Sequence, residues 1–139
     1  IGPFDETFFM YCEDVDLAWR AQLAGWRCWY TPGAVVYHKL SATGGGVLAS
    51  YYTGRNTLWV IAKDMPAPLI RKHLGRIVAA QWRVTRDALR AWRGAAARAR
   101  LRGQAAGLLG LPRVLKWHQP VQEGRTTPIE TIDAMLVRD

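Results

Sequence analysis

The sequence predicts an α/β domain followed by basic amphipathic helices. Three observations carry that expectation. An acidic helix start, Glu13-Asp14-Val15-Asp16, follows a cluster of aromatics. Two short runs rich in aromatic and β-branched residues, 26–30 and 34–37, flank a Thr31-Pro32-Gly33 turn. From Leu69 to Trp92 apolar residues return with a helical period, and arginines fill the other side.

Acids suit the first helix start, because free backbone N–H groups and the helix dipole favour negative charge there. The spacing predicts a helix over 14–24, with Gly25 just past its end and Arg20 reaching outward. Residues 26–30 and 34–37 read as strands, the second ending at His38. Residues 41–46, Ser-Ala-Thr-Gly-Gly-Gly, form a loop with little intrinsic order. Tyr51-Tyr52 and Arg55-Asn56 open a second helix that continues through Ala62. Pro66 and Pro68 stop it and start the next. An Ala/Arg run over 95–102 continues as helix until Gly103, Gly107 and Gly110 break it, and 129–136 forms a short final helix. Two regions result, 1–65 and 66–139.

Charge separates these regions. Residues 1–64 carry five basic and six acidic side chains, whereas 65–139 carry fourteen basic and five acidic ones. Between Arg71 and Arg102 ten basic residues face one acid, Asp87. Such asymmetry points to an anionic partner surface. The helix over 69–93, with Trp82 and Trp92 beside Arg83, Arg86, Arg90 and Arg93, has the pattern of a segment lying on anionic lipid. A core-packed helix with solvated arginines fits the same pattern. No uncharged run is long enough to span a bilayer. No zinc site or aromatic ribonucleoprotein motif argues for nucleic acid. Cys12 and Cys28 are too few for a disulfide framework and fit small buried hydrophobes in a reducing, cytoplasmic compartment. The first residues show no charged leader or apolar core of a signal peptide, and the chain reads as part of a longer protein.

Three features carry chemistry: Glu13-Asp14 with Asp16, His38, and Tyr52-x-x-Arg55-Asn56. Taken singly, each has a structural reading, as a helix cap, a loop histidine and a helix start. Their order and spacing alter that. Residues 4–20, FDETFFMYCEDVDLAWR, resemble the F-D-E-x-F-F-x-Y-x-E-D-x-D-L-x-x-R signature of family 2 glycosyltransferases, the rhamnosyltransferase-like subset in particular. The likeness continues through Gly25-Trp26, Tyr30-x-Pro32-x-Ala34, His38 with Ser41, and Tyr51-Tyr52-x-x-Arg55-Asn56. It departs at Pro3, where the signature commonly has Gly, and loosens beyond residue 65.

The resemblance implies the C-terminal portion of a GT-A, Rossmann-like domain, with the nucleotide-sugar half upstream. It implies inverting transfer from a nucleotide-diphosphate sugar to a cell-envelope or lipid-linked glycan, at the cytoplasmic face of a membrane. It assigns the base to Asp14, with Glu13 orienting the acceptor or Asp14 itself. Asp16 positions the helix, and Arg20, Tyr52 and Asn56 support the acceptor side. Arg55 either neutralises phosphate or anchors the 41–46 loop, a lid over the donor. His38 is implied as a ligand to Mg²⁺ or Mn²⁺. Asp14-Val15-Asp16 reads D-x-D but sits inside the acceptor motif, so it is not the family's upstream metal motif. The alternatives are a non-enzymatic basic helical module that binds membrane or nucleic acid, and a degenerate partner subunit. Glu13, Asp14, Asp16 and His38 argue against the first, since a binding module has no use for them.

Overall fold

A computed structural model describes residues 1–37 and 46–136. The described residues form helices and connecting segments, with no strand among them, so the expected α/β class is overturned. The order is a 3-10 turn at Glu6–Phe8, α1 (Glu13–Leu23), α2 (Gly46–Asp64), α3 (Ala67–Arg90), α4 (Ala95–Leu109) and α5 (Leu111–Val114). A 3-10 turn at Leu115–Trp117, α6 (His118–Glu123) and α7 (Ile129–Met135) follow.

The two expected strands are where the sequence reading fails. Residues 26–37 have the composition of strands but find no partner among the described residues. A strand exists only as part of a ladder, and an isolated hairpin is marginal in water. Side chains on both sides of the segment lie open, Trp29 at 79 % and Tyr37 at 96 %. Of the local signals here, the turn survives, closed by the Ala34 N–H donating to the Thr31 carbonyl at 3.0 Å. Gly25 ends α1 in the left-handed region, at φ 86°.

α2 is the spine. Its Trp59, Val60 and Ala62 meet Phe8 and Val114 in one core, and the Trp59 indole N–H donates to the Gly107 carbonyl at 3.1 Å. A second core joins Leu23, Met65, Leu69 and Ile132, with Trp19 of α1 packed against both.

The glycines expected to break the fourth helix do something else. Gly103 and Gly107 lie inside α4 and bring it against α2, while Gly110 caps its end. A Cβ on Gly103 would fall 2.1 Å from the Tyr51 carbonyl oxygen, and one on Gly54 of α2 would fall 2.8 Å from that of Arg100. Both obstacles are backbone, so a side chain can be admitted only if the helices part. Gly103→Ala is therefore expected to cost about 1–3 kcal/mol, as overpacking does. Gly75→Ala, where a Cβ meets nothing within 4 Å, should be neutral or stabilising through helix propensity. Urea denaturation of the two variants checks this; equal stabilities would refute the close approach.

α3 divides its surroundings three ways. Leu69, Ile70, Ile77 and Ala88 turn inward. They share that face with polar groups, since Gln104 of α4 reaches Gln81 and accepts from the Thr85 hydroxyl at 3.1 Å. Leu74, Val78, Trp82 and Leu89, which periodicity alone would also place inward, are exposed, Trp82 at 62 %. Arg83, Arg86 and Arg90 lie beyond them, exposed as well. The helix thus keeps an open apolar line beside its basic row.

Candidate active site

The site is built where the leader, residues 1–12, turns into α1. Asp5 caps the first 3-10 turn, accepting from the Thr7 N–H at 2.9 Å and the Thr7 hydroxyl at 2.7 Å. The backbone then folds back sharply. Phe9, Tyr11 and Cys12 have φ of 64°, 62° and 68°, a region that costs an ordinary residue on the order of 1–3 kcal/mol.

That strain is held by one face of α2. The Asn56 side-chain amide donates to the carbonyls of Phe8, Met10 and Tyr11 at 3.0, 2.8 and 2.7 Å. Arg55 donates from Nη2 to the carbonyls of Thr7 and Phe8 at 3.1 and 2.9 Å, and from Nε to Asn56 Oδ1 at 2.7 Å. Its guanidinium lies 4.8 Å from the Tyr52 ring centroid and 4.2 Å from that of Trp59. Burial lowers the Arg55 pKa from its ordinary value. Tyr52 in turn stacks on Phe9, centroids 5.2 Å apart. Arg55 therefore anchors the leader; of the 41–46 loop that is its alternative partner, residues 41–45 lie outside the described residues and Gly46 is the first residue of α2.

The turn delivers Glu13 and Asp14 as the first residues of α1. Asp14 is exposed, and its Oδ1 accepts from the Val15 N–H at 2.8 Å. It borders a cleft of about 380 Å³ between α1 and α7, walled by Val15, Ala18, Trp19, Ile132 and Met135. Glu13 Oε2 is buried with no hydrogen-bond partner among the described residues. An unpaired buried carboxylate oxygen is costly, which leaves it ready to accept from any donor that reaches it. The Cys12 thiol beside them is pushed above its ordinary pKa, first by burial and then by the charges of Asp14 and Glu13.

Beneath α1 lies a set of charges that sequence reasoning saw only in part. Asp16 is fully buried. Its Oδ2 accepts from Arg20 at 2.7 Å and its Oδ1 from Lys63 at 2.5 Å. Lys63 also donates to Asp5 at 2.6 Å. Burial works against ionisation of Asp5, yet the hydrogen bonds from Lys63 and Thr7 hold its pKa below the ordinary value. Arg20 does not reach outward as expected. Its Nη1 donates to the Ile1 carbonyl, and its Nη2, which also bonds Asp16, donates to that of Pro3 at 2.9 Å, so that one guanidinium ties the leader to the buried carboxylate. Asp64 is fully buried next to this set.

Of the residues singled out in the sequence, Tyr52, Arg55 and Asn56 are brought onto the leader, and Asp16 and Arg20 pair under α1. Glu13 and Asp14 share the helix start. Lys63 and Asp64 were missed. The signal for Lys63 was faint: Tyr52, Asn56, Trp59 and Lys63 recur at helical spacing along one side of α2. His38 lies outside the described residues. Among the described residues no three His, Cys, Asp or Glu side chains converge on a metal-sized site.

Similarity to known proteins is confined to a short stretch. The chain is 53% identical over 45 residues to N-acetylglucosaminyl-diphospho-decaprenol L-rhamnosyltransferase of Mycobacterium tuberculosis, a match covering 32% of this chain and 15% of that protein. It is 47% identical over 38 residues to Rhamnosyltransferase WbbL of Escherichia coli K12, covering 27% of this chain and 14% of that one. No family model matches the chain. No solved structure matches it either. The stretch relates the chain to glycosyltransferases and supports a glycosyltransferase-like role.

Proposed function

We propose that this chain supplies the acceptor-side acids of an inverting, family 2-type glycosyltransferase, with the nucleotide-diphosphate sugar bound by other parts of the enzyme. Asp14 is the general base that takes the proton from the acceptor hydroxyl as its oxygen attacks the sugar's anomeric carbon and the bond to the nucleotide diphosphate breaks, releasing the diphosphate. Asp14 stands exposed in the first turn of α1, on the rim of the cleft. Glu13 orients the acceptor through its unpaired oxygen. Arg55, Asn56 and Tyr52 hold the strained turn that fixes both acids. The acceptor is a cell-envelope or lipid-linked glycan, and the cleft beside Asp14, apolar along α1 and α7, suits an acceptor with an apolar portion. The observation that carries the reading is the acid pair, one member exposed on a cleft and the other half-buried with one carboxylate oxygen unpartnered among the described residues, within a chain that shares a stretch with rhamnosyltransferases. Asp14→Asn in the enzyme containing this chain is the test: turnover should collapse while donor binding persists, and turnover at the wild-type rate overturns the assignment.

The proposal extends to peripheral attachment at the inner face of the plasma membrane. The open line of Leu74, Val78, Trp82 and Leu89 beside Arg83, Arg86 and Arg90 favours anionic lipid. No helix among the described residues is long and apolar enough to cross a membrane. Each Arg near an anionic surface contributes on the order of 1 kcal/mol. Flotation with anionic vesicles should therefore recover the wild type and lose the quadruple Arg-to-Glu variant at 83, 86, 90 and 93. Equal recovery of the wild type with neutral and anionic vesicles would count against it.

A further inference from the structure

Asp64 is the last residue of α2, fully buried, and among the described residues neither of its carboxylate oxygens receives a hydrogen bond from an N–H or hydroxyl donor. What faces it from α1 is another acid, Asp16, whose two oxygens are taken up by Lys63 and Arg20. Two ionised carboxylates in contact repel, and neither can donate. A hydrogen bond between them exists only when a proton sits on one. Asp16, with two cations on it, is the better anion, so the proton belongs to Asp64.

The remaining neighbours agree with this. Lys63 is shared with Asp5, so its charge is already divided between two acids. Arg20 is spent on Asp16 and on two leader carbonyls. From α6, His118 Nδ1 faces the carbonyls of Ala62 and Lys63 at 3.0 and 3.2 Å, and Gln122 donates to the Asp64 main-chain carbonyl at 2.9 Å. Neither reaches the Asp64 carboxyl. Asp133 of α7 is engaged by Lys72 and His73 of α3. With Asp64 protonated, two carboxylates meet two cations and the cluster is neutral. With Asp64 ionised, one negative charge is buried without a partner.

We propose that Asp64 is a positioning residue: its single proton, shared with Asp16, locks the end of α2 to α1 and so holds the helix start that presents Glu13 and Asp14. Loss of that proton to solvent leaves two facing carboxylates, loosens α1 and displaces the acid pair. The consequence for Glu13 and Asp14 rests on the proposed sugar-transfer role; the shared proton does not.

Burial, then the Asp16 charge, pushes the Asp64 pKa up to about 8, against an ordinary carboxyl near 4. Between those values the folded chain holds a proton that the unfolded chain has released. Stability therefore falls as pH rises through this window, by up to about tenfold in the folding equilibrium per pH unit, and levels off above it. Asp5 titrates in the opposite sense and only at acid pH, so it does not mask the effect. Unfolding of wild type and Asp64→Asn is measured from pH 5 to 9. Asn donates an N–H to Asp16 and has no proton to lose. Its stability should therefore lack this component of the fall. The same slope in both proteins overturns the proposal. Should Asp64→Asn fail to fold, carbon-13 titration of the wild-type carboxyl decides: a midpoint near 8 supports the shared proton and a midpoint near 4 refutes it. In the enzyme, the alkaline limb of the pH–turnover profile should move upward in Asp64→Asn, which a merely structural residue would not do. A shared proton with an unmoved alkaline limb overturns the positioning role alone. Full turnover of Asp14→Asn would remove the catalytic assignment and leave the carboxyl titration standing.

Discussion

Asp14→Asn is expected to lower turnover by about 10²–10⁴, the usual worth of a positioned general base. The size of the effect follows from what the substitution leaves alone. Asn matches Asp in shape, and its side-chain oxygen can still accept from the Val15 N–H, so the first turn of α1 is preserved. Asp14 is exposed and makes no ion pair within 4.0 Å among the described residues, so the fold loses little. What disappears is the capacity to take a proton. The loss should fall on kcat with the donor's KM unchanged, because the proton moves only in the transition state. Steady-state kinetics of the enzyme containing this chain measure it. Glu13→Gln should have the smaller effect of an orienting residue. If the two variants exchange magnitudes, the base is Glu13.

The second large effect is one of stability. Asn56→Ala is expected to destabilise the chain by roughly 3–5 kcal/mol, since breaking a buried polar network strands each group it served at about 1–3 kcal/mol. One amide serves three carbonyls, of Phe8, Met10 and Tyr11, and its oxygen accepts from Arg55. Three residues of the turn it holds are in the left-handed region and would relax once released. Asn56→Asp should be worse, because a carboxylate would face those carbonyls with no donor to offer. Denaturant titration of both variants checks the order. An Asn56→Ala chain within 1 kcal/mol of wild type would mean that the turn is held by Arg55 and the Phe9–Tyr52 stack instead.

Some of this architecture was legible in the sequence, because helices are dictated by near neighbours. α1 begins at Glu13 and α7 at Ile129, within a residue of expectation, since acids at the first turn, Gly25 at the end and apolar periodicity act over a few residues. The grouping of Tyr52, Arg55 and Asn56 with the acidic motif was legible only as order along a chain that resembled a family. That they grip the backbone of residues 7–11 was not, because nothing in an Arg-Asn pair names carbonyls 45 residues away.

The sequence by itself determined α1, α3, α4 and α7 and the acid pair at the head of α1, together with the separation of a mildly acidic first half from a basic second one. Local spacing and covalent composition are enough for those. α2 starts at Gly46, ahead of the expected Tyr51, and α5 and α6 were not expected. Tertiary structure decided the rest. It left 26–37 without a strand partner among the described residues despite its strand composition, because pairing needs a neighbour that composition does not supply. It turned Gly103 and Gly107 from breakers into the contact surface of α4, because a missing Cβ matters only where another backbone comes close. It split the apolar stripe of α3 into a buried part and an open one. It also brought Asp64, silent in the sequence, against Asp16, because whether an acid keeps its proton depends on which charges the fold places around it.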